Sequence, residues 1–107
     1  MIEWKGNAYL CDVDLALRLI GGKWKGHLLW YLTKRTHRYS ELQKLIPTVS
    51  KKVLTEQLRQ MEDDGLIVRT VFAEVPPRVE YSLTKLGESL EPVLQVLKEW
   101  STDMRKN

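Results

Sequence analysis

The sequence predicts a small, mainly helical domain of the α+β class with one β-hairpin before its last helix. Apolar residues recur at helical spacing along most of the chain, the period changes from 3.6 to 2 after Gly65, and a long helical pattern then follows. The chain has 107 residues, 43% of them hydrophobic and 29% charged. This is enough for one hydrophobic core and too little for two. A single domain spanning residues 1–107 is therefore expected, and a multidomain enzyme is excluded.

The composition disfavours several other classes of protein. Its charged and hydrophobic fractions are those of an ordinary folded domain, which argues against disorder and against a collagen-like repeat. One cysteine cannot form an internal disulfide. The first residues contain no apolar signal region, and no stretch approaches the roughly 18 apolar residues that a membrane span needs. We therefore expect a cytoplasmic protein that contacts no membrane.

Two helices are predicted in the first third of the chain. Residues 12–20 form a short apolar run, which Asp12 or Asp14 can cap and which two glycines end. A second helix is predicted over about residues 23–33, because apolar side chains there recur at spacings of three and four. The buried stripe of this second helix is predicted to contain Trp24, His27, Leu28, Tyr31 and Leu32.

Two further helices are predicted in the middle of the chain. Ser40 followed by Gln43 is a capping-box pattern that begins a short third helix, and Pro47 ends it. Thr48 or Ser50 can cap the fourth helix, which a glycine after two aspartates ends. The apolar face of the fourth helix is predicted to contain Val53 or Leu54, Leu58 and Met61. Its opposite face is polar and presents Lys51, Lys52, Thr55, Glu56, Arg59 and Gln60.

Two runs rich in β-formers, residues 66–72 and 79–83, predict a hairpin. The turn between them contains adjacent prolines, which cannot donate to a strand ladder and therefore indicate a protruding tip. Thr84 can cap the last helix, and Pro92 is expected to kink that helix or to split off its first turn. The apolar stripe of the last helix contains Leu86, Leu90, Val93, Leu94, Leu97, Trp100 and Met104.

The charge is unevenly distributed. The net charge is only +3, but residues 34–59 contain seven basic side chains and two acidic ones, a local excess of +5. Residues 60–80 contain two basic and five acidic side chains, a local charge of −3. A concentrated positive charge attracts a polyanion more strongly than the net charge suggests. The third and fourth helices are therefore the place to expect a partner.

This order of elements is typical of a winged helix-turn-helix, in which the fourth helix enters the major groove of DNA and the hairpin is the wing. Basic side chains then read guanine or contact phosphate. Glu56 has two interpretations, since it can accept from cytosine or pair with Lys52, and Arg38 can contact phosphate or pair with acidic neighbours. The candidate DNA-contacting residues are Ser50, Lys51, Lys52, Thr55, Glu56, Arg59, Arg38, Arg78, Lys34 and Arg35.

From about residue 9 to residue 100 the chain resembles the HxlR-type winged-helix regulators of bacteria and archaea, relatives of the MarR group. The matching residues include Cys11 before an apolar helix, residues 22–25 (GKWK), 38–42 (RYSEL), 50–55 (SKKVLT), 58–69, 76–84 (PPRVEYSLT), Gly87 and Trp100. The resemblance implies a homodimeric DNA-binding repressor or activator that works at the chromosome, with the first and last helices forming the dimer interface.

The residues themselves also favour a dimer, because the last apolar stripe is longer than a 107-residue protomer needs for its own core. A symmetric dimer predicts a palindromic operator. The candidate interface residues are Trp4, Tyr9, Leu90, Val93, Leu94, Leu97, Trp100 and Met104.

Cys11 is either a small buried hydrophobe or a sensor of oxidants or electrophiles, as the resemblance to the family suggests. No spacing of histidine, cysteine or acidic residues indicates a metal, and no phosphate loop or nucleophile motif indicates catalysis, so neither cofactor nor enzyme activity is expected. The predicted partners are double-stranded DNA, a second copy of the chain, and an oxidant or small-molecule effector. The alternative function is a winged-helix module that binds an acidic protein.

Overall fold

The computed structural model describes all 107 residues and confirms an α+β fold. Its helices are α1 (Asp12–Ile20), α2 (Lys25–Lys34), α3 (Tyr39–Leu45), α4 (Lys51–Asp63), α5 (Lys85–Glu88) and α6 (Glu91–Lys106). Its strands are β1 (Ile2–Trp4), β2 (Asn7–Tyr9), β3 (His37–Arg38), β4 (Ile67–Phe72) and β5 (Arg78–Leu83).

Two antiparallel sheets flank the helices. The larger sheet has the order β3-β5-β4, and its β4–β5 hairpin is the wing. The smaller sheet pairs β1 with β2 through a two-residue turn, Lys5-Gly6, in which both residues have positive φ. The wing was predicted from the sequence, whereas the other three strands were not. Strands of two or three residues carry too little alternation to be recognised without their pairing partners.

The core lies between α2, α3, α4 and the wing. Leu54, Leu58 and Met61 are buried on one face of α4, as predicted, and Val53 is half-buried beside them. The C-terminal end of α4 is closed by Gly65 at φ +80, where the left-handed conformation favours glycine. The remaining fully or nearly buried apolar side chains are Leu28, Leu29, Leu32, Leu42, Ile46, Val49, Leu66, Ile67, Tyr81 and Leu94.

The predicted stripe of α2 is wrong at one position, His27, and it omits Lys25 and Leu29. The helix begins at Lys25, two residues later than expected, and its core-facing side chains are Lys25, Leu28, Leu29 and Leu32. His27 is exposed, whereas Trp24 and Tyr31 are partly buried against the core, as predicted. A lysine in the core-facing row was not expected from periodicity, which treats charged residues as solvent-facing.

Two of the predicted helix caps are also wrong. Helix α3 begins one residue before Ser40, and Glu41 rather than Gln43 accepts the backbone N–H of Arg38, at 2.8 Å. The N-terminal cap residue of α1 is Cys11, and Asp14 reaches back to the backbone N–H of Leu10 at 2.9 Å. Both carboxylates therefore stabilise the chain just before a helix, as capping-box acids do.

Pro92 divides the last helical segment, as predicted. Thr84 caps the short helix α5 by accepting the backbone N–H of Gly87 at 3.1 Å, and α6 begins at Glu91 with the proline in its first turn. A proline at this position costs little, because the first backbone N–H groups of a helix have no intrahelical partner.

Candidate nucleic-acid interface

The start of α4 is built by Ser50. Its Oγ accepts the backbone N–H of Val53 at 3.1 Å, which satisfies one of the free donors at the helix start. The first turn after this cap contains two lysines and no acidic residue. Ser50, a predicted DNA-contacting residue, therefore has a structural role in orienting the helix as well.

The polar face of α4 is open to solvent. Lys51, Lys52, Glu56 and Arg59 are exposed, and none of these side chains takes part in an ion pair. The alternative that Glu56 pairs with Lys52 is thus not observed. The three cations on this face have no internal counter-charge, so their field extends into solvent.

Tyr39 holds α3 against α4. Its hydroxyl lies 3.1 Å from the backbone carbonyl of Lys51 and 3.1 Å from Oγ1 of Thr55. Both contacts fall in the first turns of α4, so they set the angle between the two helices of the helix-turn-helix. Tyr39 was not predicted as a functional residue, because a half-exposed aromatic residue at a helix start has no distinguishing sequence pattern. Thr55, a predicted base contact, shares its hydroxyl with this interaction.

Arg35, Arg38 and Glu41 form a group before α3. The Arg35 guanidinium donates to Glu41 at 2.9 Å, and the backbone N–H of Arg38 donates to the other carboxylate oxygen. The hydrogen bond from Arg35 and then that from Arg38 lower the pKa of Glu41 to about 2. Arg35 is thus paired, whereas the exposed side chain of Arg38 has no ion pair, neither with Glu41 nor with the acidic residues at 62–64.

Arg78 was predicted to contact DNA, but its side chain is held by neighbours within the wing. It begins β5, its guanidinium lies 3.5 Å from Glu74 and 3.1 Å from Glu80, and it stacks at 4.0 Å from the centroid of Phe72. The side chain is only 28% exposed. Its cross-strand position opposite Phe72 and its two acidic neighbours make it part of the wing's own structure.

Lys34 is exposed at the end of α2, and its ammonium lies 3.9 Å from the ring centroid of Trp30. This contact fixes the direction of the lysine without neutralising its charge. Lys98 from α6 lies 5.5 Å from the centroid of the same ring. Lys34 therefore remains a charged group near the helix-turn-helix.

Several apolar side chains are exposed on α1 and on α6. Trp100 is 65% exposed, and Val93, Leu97 and Met104 are about half exposed. Val13 and Leu17 of α1 are exposed as well. Exposed apolar side chains in such number mark an interaction surface on a protein of this size. We call this set the α1/α6 face: Val13, Leu17, Val93, Val96, Leu97, Trp100 and Met104.

Four of the predicted interface residues lie outside this face. Leu94 is 7% exposed and belongs to the core of its own protomer, so its assignment to a dimer interface is wrong. Leu90 is half-buried against the same core. Trp4 and Tyr9 lie on the paired strands β1 and β2 and are half-buried. The helical stripe of α6 thus serves two surfaces, because one side of the helix packs on α2 and the other side is open.

Cys11 is exposed at the start of α1 and is a free thiol. The interpretation as a small buried hydrophobe is therefore wrong. With one cysteine in the chain, a disulfide can only join two copies or attach a small thiol.

No group of three histidine, cysteine or acidic side chains comes together as a metal site. No helix in the protein has the length and hydropathy needed to cross a membrane.

The comparisons with known proteins agree with this geometry. The family model described as HxlR-like helix-turn-helix matches residues 19–107. An uncharacterised HTH-type transcriptional regulator of Bacillus subtilis, YdeP, is 50% identical over 90 residues, which cover 84% of this chain and 70% of YdeP.

Two solved structures of a redox regulator, HypR, have the same fold. The reduced form has a TM-score of 0.86 at 42% identity, covering 89% of this chain and 94% of that one. The oxidised form has a TM-score of 0.83 at 43% identity, covering 87% and 96%. The family and these relatives are transcriptional regulators rather than enzymes. The exposed basic helix, the wing and these matches together show that the chain belongs to the HxlR-like helix-turn-helix family of transcriptional regulators.

Proposed function

We propose that this protein binds double-stranded DNA as a homodimer and that its affinity for an operator responds to oxidants or electrophiles through Cys11. The observation that carries the DNA proposal is the row of exposed cations on α4, none of which has an acidic partner. A helix inserted in the major groove needs such groups to replace counterions at phosphates and to bind base edges. DNA binding would place the protein at the chromosome in the cytoplasm.

The candidate residues divide by role. Lys52 and Arg59 lie in the middle of the exposed face of α4 and are assigned to bases, with Glu56 beside them and Thr55 at the edge. Ser50, Lys51, Arg38 and Lys34 are assigned to the phosphate backbone near the start of α4. Arg35 and Arg78 must exchange a carboxylate for a phosphate to contact DNA, so they are expected to contribute least.

The α1/α6 face supports dimerisation. Its apolar side chains have no covering element in the protomer, and a second copy related by a two-fold axis would present the same side chains to them. Two recognition helices would then face half-sites about one helical turn, or roughly 10 bp, apart. The expected operator is accordingly an inverted repeat.

The redox part of the proposal is supported by exposed Cys11 and by the similarity to HypR, which its solved structures describe as a redox regulator in oxidised and reduced forms. Two thiols from two copies would each lose a proton and an electron to form one disulfide. The two electrons and the two protons would pass to a peroxide, whose O–O bond is cleaved. An organic hydroperoxide would give an alcohol and water, and hydrogen peroxide would give two water molecules.

Selection of bound duplexes from a random pool, followed by titration at several salt concentrations, tests the DNA proposal. We expect an inverted repeat and a linear fall of log affinity with log salt, because several phosphates are neutralised. An affinity that does not depend on salt, or a pool with no enriched sequence, would overturn it. The alternative, an acidic protein partner, predicts that long duplex DNA fails to compete for the basic face at physiological salt.

Sedimentation of Trp100→Asp tests the dimer. We expect a charge at this position of the α1/α6 face to shift the protein to monomer without unfolding it, because Trp100 is 65% exposed in the protomer. Val71→Asp is the matched control, since Val71 is an apolar residue exposed on the wing strand β4. Equal dissociation by both variants, or none by Trp100→Asp, would contradict the assignment.

Treatment with cumene hydroperoxide tests the sensor role. On a non-reducing gel we expect a dimer band, or an adduct when glutathione is present, and a changed operator affinity that a reductant reverses. Cys11→Ser should show neither effect while binding the operator like the reduced protein. Unchanged affinity of the oxidised wild type would remove Cys11 from the proposed regulation.

A further inference from the structure

We propose that the N-terminal arm, residues 1–20, sets the position of the recognition helix α4 through two contacts, those of Lys5 and Arg18, so that a change made on the arm alters DNA affinity. Both cations bind the C-terminal end of α4, at Asp63 and Asp64. The effect on DNA rests on the function proposed above, whereas the mechanical link between arm and helix does not.

Lys5 completes the hydrogen bonding at the end of α4. The last carbonyls of a helix have no intrahelical partner. Here the backbone N–H groups of Asp64, Gly65 and Leu66 satisfy those of Gln60, Glu62 and Met61 in a Schellman arrangement. The next carbonyl, that of Asp63, accepts from Lys5 Nζ at 3.2 Å. A cation at this end of the helix also interacts favourably with the helix dipole.

The backbone of Lys5 supports a specific role for this side chain. Lys5 has φ +48 and Gly6 has φ +80 in the two-residue turn between β1 and β2. Such a turn favours glycine or asparagine at its first position, because glycine has no Cβ to clash at positive φ and asparagine tolerates this conformation. A lysine occupies this position although local backbone preference opposes it, and its ammonium reaches α4 from there.

Arg18 is the second anchor of the arm on α4, after Lys5. Its Nη1 lies 3.3 Å from Oδ2 of Asp64, whose side chain is only 9% exposed. A buried carboxylate at a helix C-terminus is unfavourable unless cations compensate it. The other cation close to Asp64 is Lys25, itself 6% exposed. Burial lowers the pKa of Lys25 most and the charge of Arg18 lowers it further, whereas the charge of Asp64 raises it. The charges of Arg18, Lys25 and Asp64 therefore influence one another.

The arm can transmit a displacement because it is internally connected. The backbone N–H of Leu10 donates to Asp14, and that of Leu15 donates to the carbonyl of Cys11, so strand β2 continues directly into α1. Cys11 therefore lies between the two anchors along the chain. The exposed apolar side chains of α1 are on the same arm, so binding of a second copy would act on it as well.

The test combines Lys5→Asn and Arg18→Gln. Asparagine suits the positive φ of position 5, and glutamine keeps a polar chain at the half-exposed position 18, so the variant should fold. Lys85→Gln with Lys106→Gln is the matched control, because it also removes two exposed cations and neither is in an ion pair. Arg18→Lys, which keeps the charge beside Asp64, should behave like the wild type.

Two readouts are compared before and after Cys11 is converted to its mixed disulfide with glutathione. The first is amide hydrogen exchange of residues 60–64 and needs no DNA. The second is affinity for the selected operator. In the wild type and in the control variant we expect exchange in this last turn of α4 to change at least about fivefold, since helix ends open locally. In the variant without the two anchors the change should be less than about twofold, and the operator affinity should no longer respond to glutathione.

The outcomes separate the two proposals. An exchange response that is absent in the wild type, or as large without the anchors as with them, would overturn the link between arm and helix. An exchange response that needs the anchors, in a protein that binds no duplex in any state, would support the link and overturn the proposed DNA function.

Discussion

The cationic side chains of α4 and three arginines elsewhere in the chain lie in opposite environments. Lys51, Lys52 and Arg59 are exposed and have no ion pair. Arg78 pairs with Glu74 and Glu80, as Arg35 does with Glu41 and Arg18 with Asp64. The same residue types therefore serve two purposes. Unpaired cations leave a field for a polyanion, whereas paired cations hold one element of the fold against another.

The difference between paired and unpaired cations reduces the number of residues that we expect to contact DNA. From the sequence, Arg35 and Arg78 were predicted to contact DNA together with the cations of α4, Arg35 because it lies in the basic region and Arg78 because it lies at the proline-stiffened tip of the wing. A phosphate must displace an existing carboxylate at the paired positions, which offsets most of the gain. The expected contributions to DNA affinity therefore differ between residues. Four predictions on affinity and folding stability follow, ordered from the largest expected effect to the smallest.

The double variant Lys52→Ala/Arg59→Ala should have the largest effect. If each side chain binds a base edge, each contributes about 1–3 kcal/mol of discrimination, so the operator affinity should fall by roughly a hundredfold or more. Fluorescence anisotropy with the selected operator and with a random duplex measures it, and Lys85→Ala/Lys106→Ala controls for the loss of charge. A similar loss on both duplexes would show that these side chains contact only the phosphate backbone.

Arg78→Ala should reduce operator affinity by less than about threefold, because its charge is already compensated within the wing. It should instead destabilise the fold by about 0.5–1 kcal/mol, since the contact with Phe72 is lost. Thermal unfolding and anisotropy on the same sample separate the two effects. A loss of affinity as large as that of Lys52→Ala would contradict the distinction between paired and unpaired cations.

His37 should make folding stability depend on pH. It is 4% exposed on β3, and neither ring nitrogen has a hydrogen-bond partner. Burial, and then the charge of Arg35, lower its pKa below the usual 6.5, although Glu41 opposes the shift. The unfolded chain thus takes up a proton first, so the full stability is present above about pH 6.5 and is lost as the pH falls towards the folded pKa.

The replacement His37→Leu should abolish this loss, because it removes both unpaired nitrogens and the titrating group. Thermal midpoints measured between pH 7.5 and 5 compare the two proteins. His27→Leu is the control, since that histidine is exposed. A wild-type midpoint that does not fall across this range, or an equal fall in His37→Leu, would contradict the assignment.

The smallest effect is expected for Glu41, whose protonation should lower folding stability at acidic pH. Its pKa of about 2 lies below the usual 4.5, so the stability it contributes is present above about pH 4.5 and is lost as the pH falls through 2. Glu41→Gln should flatten this part of the curve, and a carboxyl titration by NMR should place the midpoint of Glu41 near 2. A midpoint near 4.5 would show that the pair with Arg35 is not held in solution.

Local sequence signals predicted the long elements well and the short ones poorly. The apolar face of α4, the wing and the division of the last helix at Pro92 were all predicted, because each depends on a period or on a proline. Strands β1, β2 and β3 were missed because their pairing is their only signature. The register of α2 and the cap of α3 were wrong by one or two residues, since helix boundaries depend on what the first turn packs against.

The sequence by itself determined the class of this protein: a mainly helical fold with a wing, a basic central region and the motifs of a regulator family. The tertiary structure decided which side chains are available. It placed Leu94 in the core and Trp100 in solvent on the same helix, it exposed Cys11, and it paired Arg78 while leaving Arg59 unpaired. Periodicity and charge are properties of neighbours along the chain, whereas burial and pairing depend on residues far apart in sequence. The contacts from Lys5 and Arg18 to the end of α4, across 58 and 46 positions, are therefore visible only in the fold.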